Sequence, residues 1–205
     1  TASELFTLDT TVPAEALVTV VGDGPLTLDE AVNAGVVTVE AEEGSTVEVE
    51  LTGTDGVVTK SFTASADAET IKLTAEQVDQ LGDGAVSVVI TVTDAAGNTS
   101  IVGGVEFTLD TSAPETAVVT VIGDAPLTLD EAENAGVVTV EAEPGSSVEV
   151  ELTGTNGVVT ESFTASEEAE TITLTTTQIE TLGDGVVSVK TAVTDAAGNT
   201  SSVGG

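Results

Sequence analysis

The sequence predicts an all-β chain of two tandem β-sandwich domains, each a two-sheet Greek key, joined end to end. A duplication, a period-2 hydrophobic pattern and regularly spaced turns predict it. Residues 6–104 re-align onto residues 107–205 at a fixed offset of 101, and direct comparison finds 74 of the 99 positions identical. A unit of about 100 residues is too large for a solenoid repeat and suits an independent small domain. The expected division is 1–105 and 106–205. The second copy stops at Gly205, where the first runs on into Val105-Glu106-Phe107-Thr108-Leu109-Asp110, so the sequence reads as an excerpt of a longer array.

Seven strands are expected in the first copy, at roughly 15–21, 36–42, 46–53, 57–64, 69–74, 85–93 and 99–108. The third shows the pattern most plainly: in Val47-Glu48-Val49-Glu50-Leu51 the apolar residues share one face and the glutamates the other, and Val148-Glu149-Val150-Glu151-Leu152 repeats it. In the sixth strand Val89 becomes Lys190 while Val88 is kept as Val189, so position 89 must face solvent. Turn signals separate the strands: Gly44, the Asp55-Gly56 pair, Gly82-Asp83-Gly84, and Ala95-Ala96-Gly97-Asn98. Leu28-Asp29-Glu30-Ala31 and Ala75-Glu76-Gln77-Val78-Asp79 each suit a helical turn within a connection. Seven short strands with turns every 8–12 residues argue for the sandwich, with another all-β sandwich topology as runner-up.

The core must be aliphatic, because the chain has four Phe and no Trp, Tyr, Met or His. Its 36 acidic residues face only three basic ones, Lys60, Lys72 and Lys190, for a net charge of -33. Such a charge excludes nucleic acid and anionic membrane as partners and makes self-repulsion a stability problem that cations relieve. Acidic, aromatic-poor chains are often disordered, but here 40% of residues are hydrophobic and the acids are threaded singly between Val and Thr. There is no cysteine, so no disulfide framework exists. No 18-residue apolar run is present, so no membrane insertion is expected, and Thr1-Ala2-Ser3-Glu4-Leu5-Phe6 is no signal peptide.

An odd number of strands places the connections. If the chain enters a domain at one end and leaves at the other, the first, third and fifth connections lie at the exit end, and the second, fourth and sixth at the entry end. The seam between copies then gathers Asp23, Asp29, Glu30, Asp55 and Asp83 from the first copy. Glu143, Glu167, Glu168, Asp195 and Asn199 come from the second, with Asp110 in the linker. Gly103-Gly104 could loosen that linker, and Pro114 stiffens its far end. Carboxylates meeting without a local base repel unless a cation sits among them. Calcium takes six to eight oxygen ligands, whereas zinc wants His or Cys that this chain lacks.

The string Thr93-Asp94-Ala95-Ala96-Gly97-Asn98-Thr99-Ser100 recurs at residues 194–201. It follows the Gly-Asp-Gly turns at Asp83 and Asp184 and precedes Leu109-Asp110-Thr111-Ser112-Ala113-Pro114. Together these resemble the bacterial Ig-like repeats of giant surface adhesins, including RTX-type adhesins exported by type I secretion. The resemblance covers nearly the whole of both units. It implies two tandem Ig-like sandwiches acting as an extender, extracellular on a bacterial surface, with calcium ions and the neighbouring repeats of the same chain as partners and a monomeric, elongated rod as the form. By the same resemblance the ligands are Asp9, Asp94 and Asn98 at the outer end of the first repeat, and Asp110, Asp195 and Asn199 at the junction. Asp83 is a further contributor and Asp184 its counterpart in the second repeat. The tyrosine often found after the Gly-Asp-Gly turn is absent, with Val86 and Val187 nearby instead.

Asp94 and Asn98 equally suit plain turn residues, since Asp and Asn side chains bond their own backbone. Asp23, Asp29 and Glu30 suit a solvated surface or a helix cap. No catalytic set is present: there is no His base and no Cys nucleophile, and the Gly-rich turns open strands rather than helices. A carboxylate pair for glycoside hydrolysis would need a cleft with aromatic platforms that a chain without Trp or Tyr does not offer. The competing reading is an adhesion module that contacts glycan, ice or a partner protein through an exposed face.

Overall fold

The computed structural model describes residues 6–123 and 126–205. The chain divides into two compact units, Thr1–Thr111 and Ser112–Gly205. Residues 1–5, read above for a signal sequence, lie outside the described residues.

Unit 1 runs β1 (Leu17–Val20), α1 (Leu28–Asn33), β2 (Val37–Glu40), β3 (Thr46–Thr52), β4 (Val57–Thr63), β5 (Glu69–Ile71), α2 (Ala75–Leu81), β6 (Gly84–Thr93) and β7 (Thr99–Leu109). One sheet has the order β1-β2-β5 and the other β4-β3-β6-β7, with all named strand pairs antiparallel. The chain crosses between sheets after β2, after β4 and again through α2, which is the Greek key the strand count predicts. All seven expected strands are present. Their pattern is as read: Val47, Val49 and Leu51 are buried while Glu48 and Glu50 point out. Val89, on β6, is exposed.

Unit 2 repeats the order with β8 (Val118–Val121), α3 (Leu129–Asn134), β9 (Val138–Glu141), β10 (Ser147–Thr153), β11 (Val158–Thr164), β12 (Glu170–Ile172), α4 (Thr176–Leu182), β13 (Ser188–Thr194) and β14 (Thr200–Gly204). Its sheets are β12-β9-β8 and β11-β10-β13-β14. Both cores are built from Val, Leu, Ile and Ala, with Phe107 the one buried aromatic among the described residues.

The connection segments expected to make single helical turns are longer than that, because each opens on a capping box. Thr27 caps α1 and Thr74 caps α2, with Glu30 and Gln77 reaching back to the cap. The α2 end packs so closely on the β3–β4 hairpin that a Cβ on Gly53 would lie 2.3 Å from the Leu81 carbonyl, and Gly154 repeats this against Leu182. Only glycine fits there.

The Gly103-Gly104 pair is not a hinge. It lies inside β7 opposite a register shift between Val88 and Ile90, with Gly104 at φ +81°. This β-bulge re-aims the strand, whose second half, residues 105–109, pairs with residues 84–88 of β6. Phe107 and Leu109 thereby close the exit end of the unit 1 core, and Leu26 bridges to Leu109 in parallel.

Candidate functional site

The entry end of unit 1 is organised by the turn between β6 and β7. Asp94 N donates to the Asn98 carbonyl at 3.0 Å and closes the turn. The Asp94 carboxylate is held from within it: Oδ1 accepts from the N–H groups of Ala96 (2.9 Å) and Asn98 (2.8 Å), and Oδ2 accepts from Asn98 Nδ2 at 2.9 Å. Asn98 Nδ2 also donates to the Asp9 carbonyl at 3.3 Å, while Asp9 Oδ1 accepts from Thr11 N. Three of the sequence-designated residues, Asp9, Asp94 and Asn98, are thus brought together, and the segment leading into β1 is tied to the β6–β7 turn. Ser100 Oγ adds a further tie to the Ala14 carbonyl.

Unit 2 repeats the turn. Asp195 Oδ1 accepts from Ala197, Gly198 and Asn199 N–H groups at 2.7–2.9 Å, and Oδ2 accepts from Asn199 Nδ2 at 3.0 Å. These hydrogen bonds stabilise the ionised form. The Asn98 side chain, aided by its N–H and those of Ala96 and Gly97, holds the Asp94 carboxyl below its ordinary range against the opposing effect of desolvation. For Asp195, desolvation opposes ionisation most strongly, but the Asn199 side chain and the three N–H donors together outweigh it, so its carboxyl is also lowered.

At the exit end of unit 1, Asp83 Oδ1 accepts from both the N–H and the hydroxyl of Thr111. Asp110, the preceding residue, donates its N–H to the Leu26 carbonyl. Thr54 Oγ1 donates to the Asp83 carbonyl, and Thr155 Oγ1 repeats this on Asp184 in unit 2. Asp29 and Glu30 serve α1: Glu30 completes its capping box, and Asp29 Oδ1 accepts from Asn33 Nδ2.

The donor set is oxygen-only, the chemistry a hard cation prefers. Within the described residues, however, no group of three or more acidic side chains is arranged to hold a metal ion. The turn carboxylates of Asp94 and Asp195 are occupied by their own turns, so neither loop alone offers calcium its six to eight oxygens. Thr111 is the residue that the sequence reading missed. The signal was available in the strand count, which puts the Asp83 turn and the end of β7 at the same end of the unit.

No family model matches the chain, and no curated protein matches it. Solved structures do. A tetra-tandem repeat in the extending region of a large adhesion protein is 20% identical at TM-score 0.38, the match covering 96% of this chain and 49% of that one. A 1.5-MDa bacterial ice-binding adhesin is 18% identical at TM-score 0.46, covering 94% and 63%. A Ca2+-stabilized adhesin that helps an Antarctic bacterium reach out and bind ice is 27% identical at TM-score 0.49, covering 96% and 48%. The chain therefore spans between about half and just under two thirds of these proteins' solved lengths. No helix among the described residues is long and apolar enough to cross a membrane.

Proposed function

We propose that the chain is a pair of extender repeats from a bacterial cell-surface adhesin, a non-catalytic extracellular spacer that holds an adhesive region away from the cell. The observation that supports this most is tandem duplication: one sandwich occurs twice with 74 of 99 positions identical, and only residues 110–117 lie between β7, the last strand of unit 1, and β8, the first of unit 2. Near-identity suits units selected for length and stiffness, since two specific binding sites would have no reason to be copies.

We further propose that calcium stiffens the connection, held by Asp110, Asp195 and Asn199 with help from Asp83. The net charge of -33, the oxygen-only ligands and the place of Asp110 beside the boundary support this. Asp9, Asp94 and Asn98 would form the corresponding set at the other end of unit 1, with Asp184 as the counterpart of Asp83 in unit 2. The cation offsets carboxylate repulsion and removes hinge freedom, and by mass action it also stabilises the folded units.

Calorimetric titration of calcium into the full chain, beside Asp110→Asn and Asp195→Asn variants, tests the ligand assignment. Small-angle scattering and thermal melting in excess EDTA test the stiffening: chelation should lower Tm and shorten the particle. An unchanged melt and scattering profile would remove calcium from the reading and leave the spacer intact.

A further inference from the structure

The chain contains five asparagines, and four of them are held alike. The side-chain amides of Asn33, Asn98, Asn134 and Asn199 each donate to the carboxylate of the aspartate four residues earlier, at 2.7–3.0 Å. Asn156 is different. It lies in the connection of the β10–β11 hairpin with its side chain exposed, and among the described residues its amide makes no hydrogen bond. It is also the one asparagine followed by glycine, since the others precede Ala34, Thr99, Ala135 and Thr200.

The fold itself keeps that glycine in place. A Cβ on Gly157 would lie 3.0 Å from the Thr181 carbonyl oxygen and 3.1 Å from the Thr181 methyl carbon, so the close approach of α4 favours glycine there. Gly157 stands outside the β10–β11 ladder, whose last pair is Thr153 with Val158. Among the described residues its carbonyl accepts from Gly154 N at 2.9 Å while its N–H donates to nothing. The Gly157 nitrogen can therefore lose its proton to solvent, and no side chain of its own screens it from the preceding amide carbon.

We infer that Asn156 is a site of spontaneous deamidation, a self-modification whose co-reactants are water and hydroxide. The Gly157 nitrogen, its proton taken by hydroxide, attacks the Asn156 side-chain carbonyl carbon. The new C–N bond closes a five-membered succinimide, and the side-chain nitrogen takes a proton from water and leaves as ammonia, restoring the hydroxide. Water then opens the ring. Addition at the former side-chain carbonyl gives an aspartyl residue, and addition at the main-chain carbonyl gives an isoaspartyl linkage. The net change is one water consumed and one ammonia released.

The aspartyl product has a template in the same chain. Deamidation turns Gly154-Thr155-Asn156-Gly157 into the string found at residues 53–56, where Asp55 is already accommodated. Asp55 N donates to the Leu81 carbonyl as Asn156 N donates to that of Leu182, both at 3.0 Å, and the two side chains lie over Gly82 and Gly183. Unit 2 thereby acquires after synthesis the second turn carboxylate, beside Asp184, that unit 1 has from the start in Asp55 and Asp83.

The test ages the full chain in neutral and in mildly alkaline buffer, beside the same chain unfolded in urea, and reads acid-stage digests by mass spectrometry. The peptide carrying Asn156 should lose its amide and split into two acidic products, sooner in the alkaline buffer. One should elute with the same peptide from an Asn156→Asp variant, and the other should be isoaspartyl. Asn33, Asn98, Asn134 and Asn199 should keep their amides over that time, and an Asn156→Gln variant, which cannot close the five-membered ring, should stay unchanged. Three results overturn the inference: an intact Asn156 amide in the folded chain once the urea sample has converted, equal loss at the other asparagines, or an aspartyl product without its isoaspartyl companion.

Discussion

Asp83 Oδ1 accepts two hydrogen bonds from Thr111, one from its N–H at 2.9 Å and one from its hydroxyl at 2.8 Å. The residues are 28 apart in sequence, and the contact fixes the last residue of unit 1 to the turn that opens β6. Asp83→Ala should cost about 1–2 kcal/mol, since each bond contributes roughly 0.5–1.5 kcal/mol and both are solvent-exposed. Asp83→Asn should cost less because an amide oxygen still accepts. Urea unfolding gives the energies, and faster hydrogen exchange of the Thr111 amide localises them. Wild-type exchange at Thr111 in the Ala variant would show that the pair does not hold the strand end.

The turn carboxylates allow structural and ligand roles to be separated. Asp94→Ala and Asp195→Ala each remove an acceptor for several backbone N–H groups, so both should lower stability in EDTA as well as in calcium. The Asn replacements keep the turn but lose the charge. They should melt near wild type in EDTA and fall behind it only when calcium is added. Ala variants that match wild type in EDTA would mean that the turn does not need the carboxylate.

The strands were legible because alternation is enforced wherever one sheet face is buried, as Glu48 and Glu50 between Val47, Val49 and Leu51 show. Helices α1 and α2 were under-read, although Thr27 with Glu30 and Thr74 with Gln77 announce their starts. The candidate ligands were less legible: residue type marks Asp94 and Asp195 as oxygen donors, but only coordinates show those oxygens engaged by their own turns.

Stability should pass through a maximum on acidification. Asp94, Asp195 and Glu131 have carboxyls lowered by hydrogen bonds made in the folded chain, those of Glu131 coming from the backbone and hydroxyl of Thr128. A group lowered on folding stabilises fully above its unfolded value and loses that contribution as pH falls through the folded one, so this effect acts below about pH 4. The repulsion implied by a net charge of -33 acts in the opposite direction. It fades as carboxylates protonate between about pH 6 and 4, which raises stability. Tm measured in EDTA should therefore climb from pH 7 to a maximum near pH 4–5 and fall below about pH 4, whereas a steady fall from pH 7 would mean that repulsion is unimportant.

Thr191 is fully buried in β13, and its hydroxyl has no hydrogen-bond partner among the described residues. It lies opposite Val150 of β10 and Val203 of β14, and its counterpart in the first copy is the buried Ile90. An unmade hydrogen bond inside an aliphatic core costs about 1–3 kcal/mol, and valine has nearly the shape of threonine. Thr191→Val should therefore stabilise unit 2 by roughly that amount. Thr191→Ile adds a methyl group and should gain further only if the core of unit 2 has the room that unit 1 gives Ile90. Chemical denaturation of the full chain, with hydrogen exchange on β10 and β13 to assign the change to unit 2, measures both. A loss of stability in the valine variant would show that the hydroxyl finds a partner in solution, and the packing argument for this position would then fail.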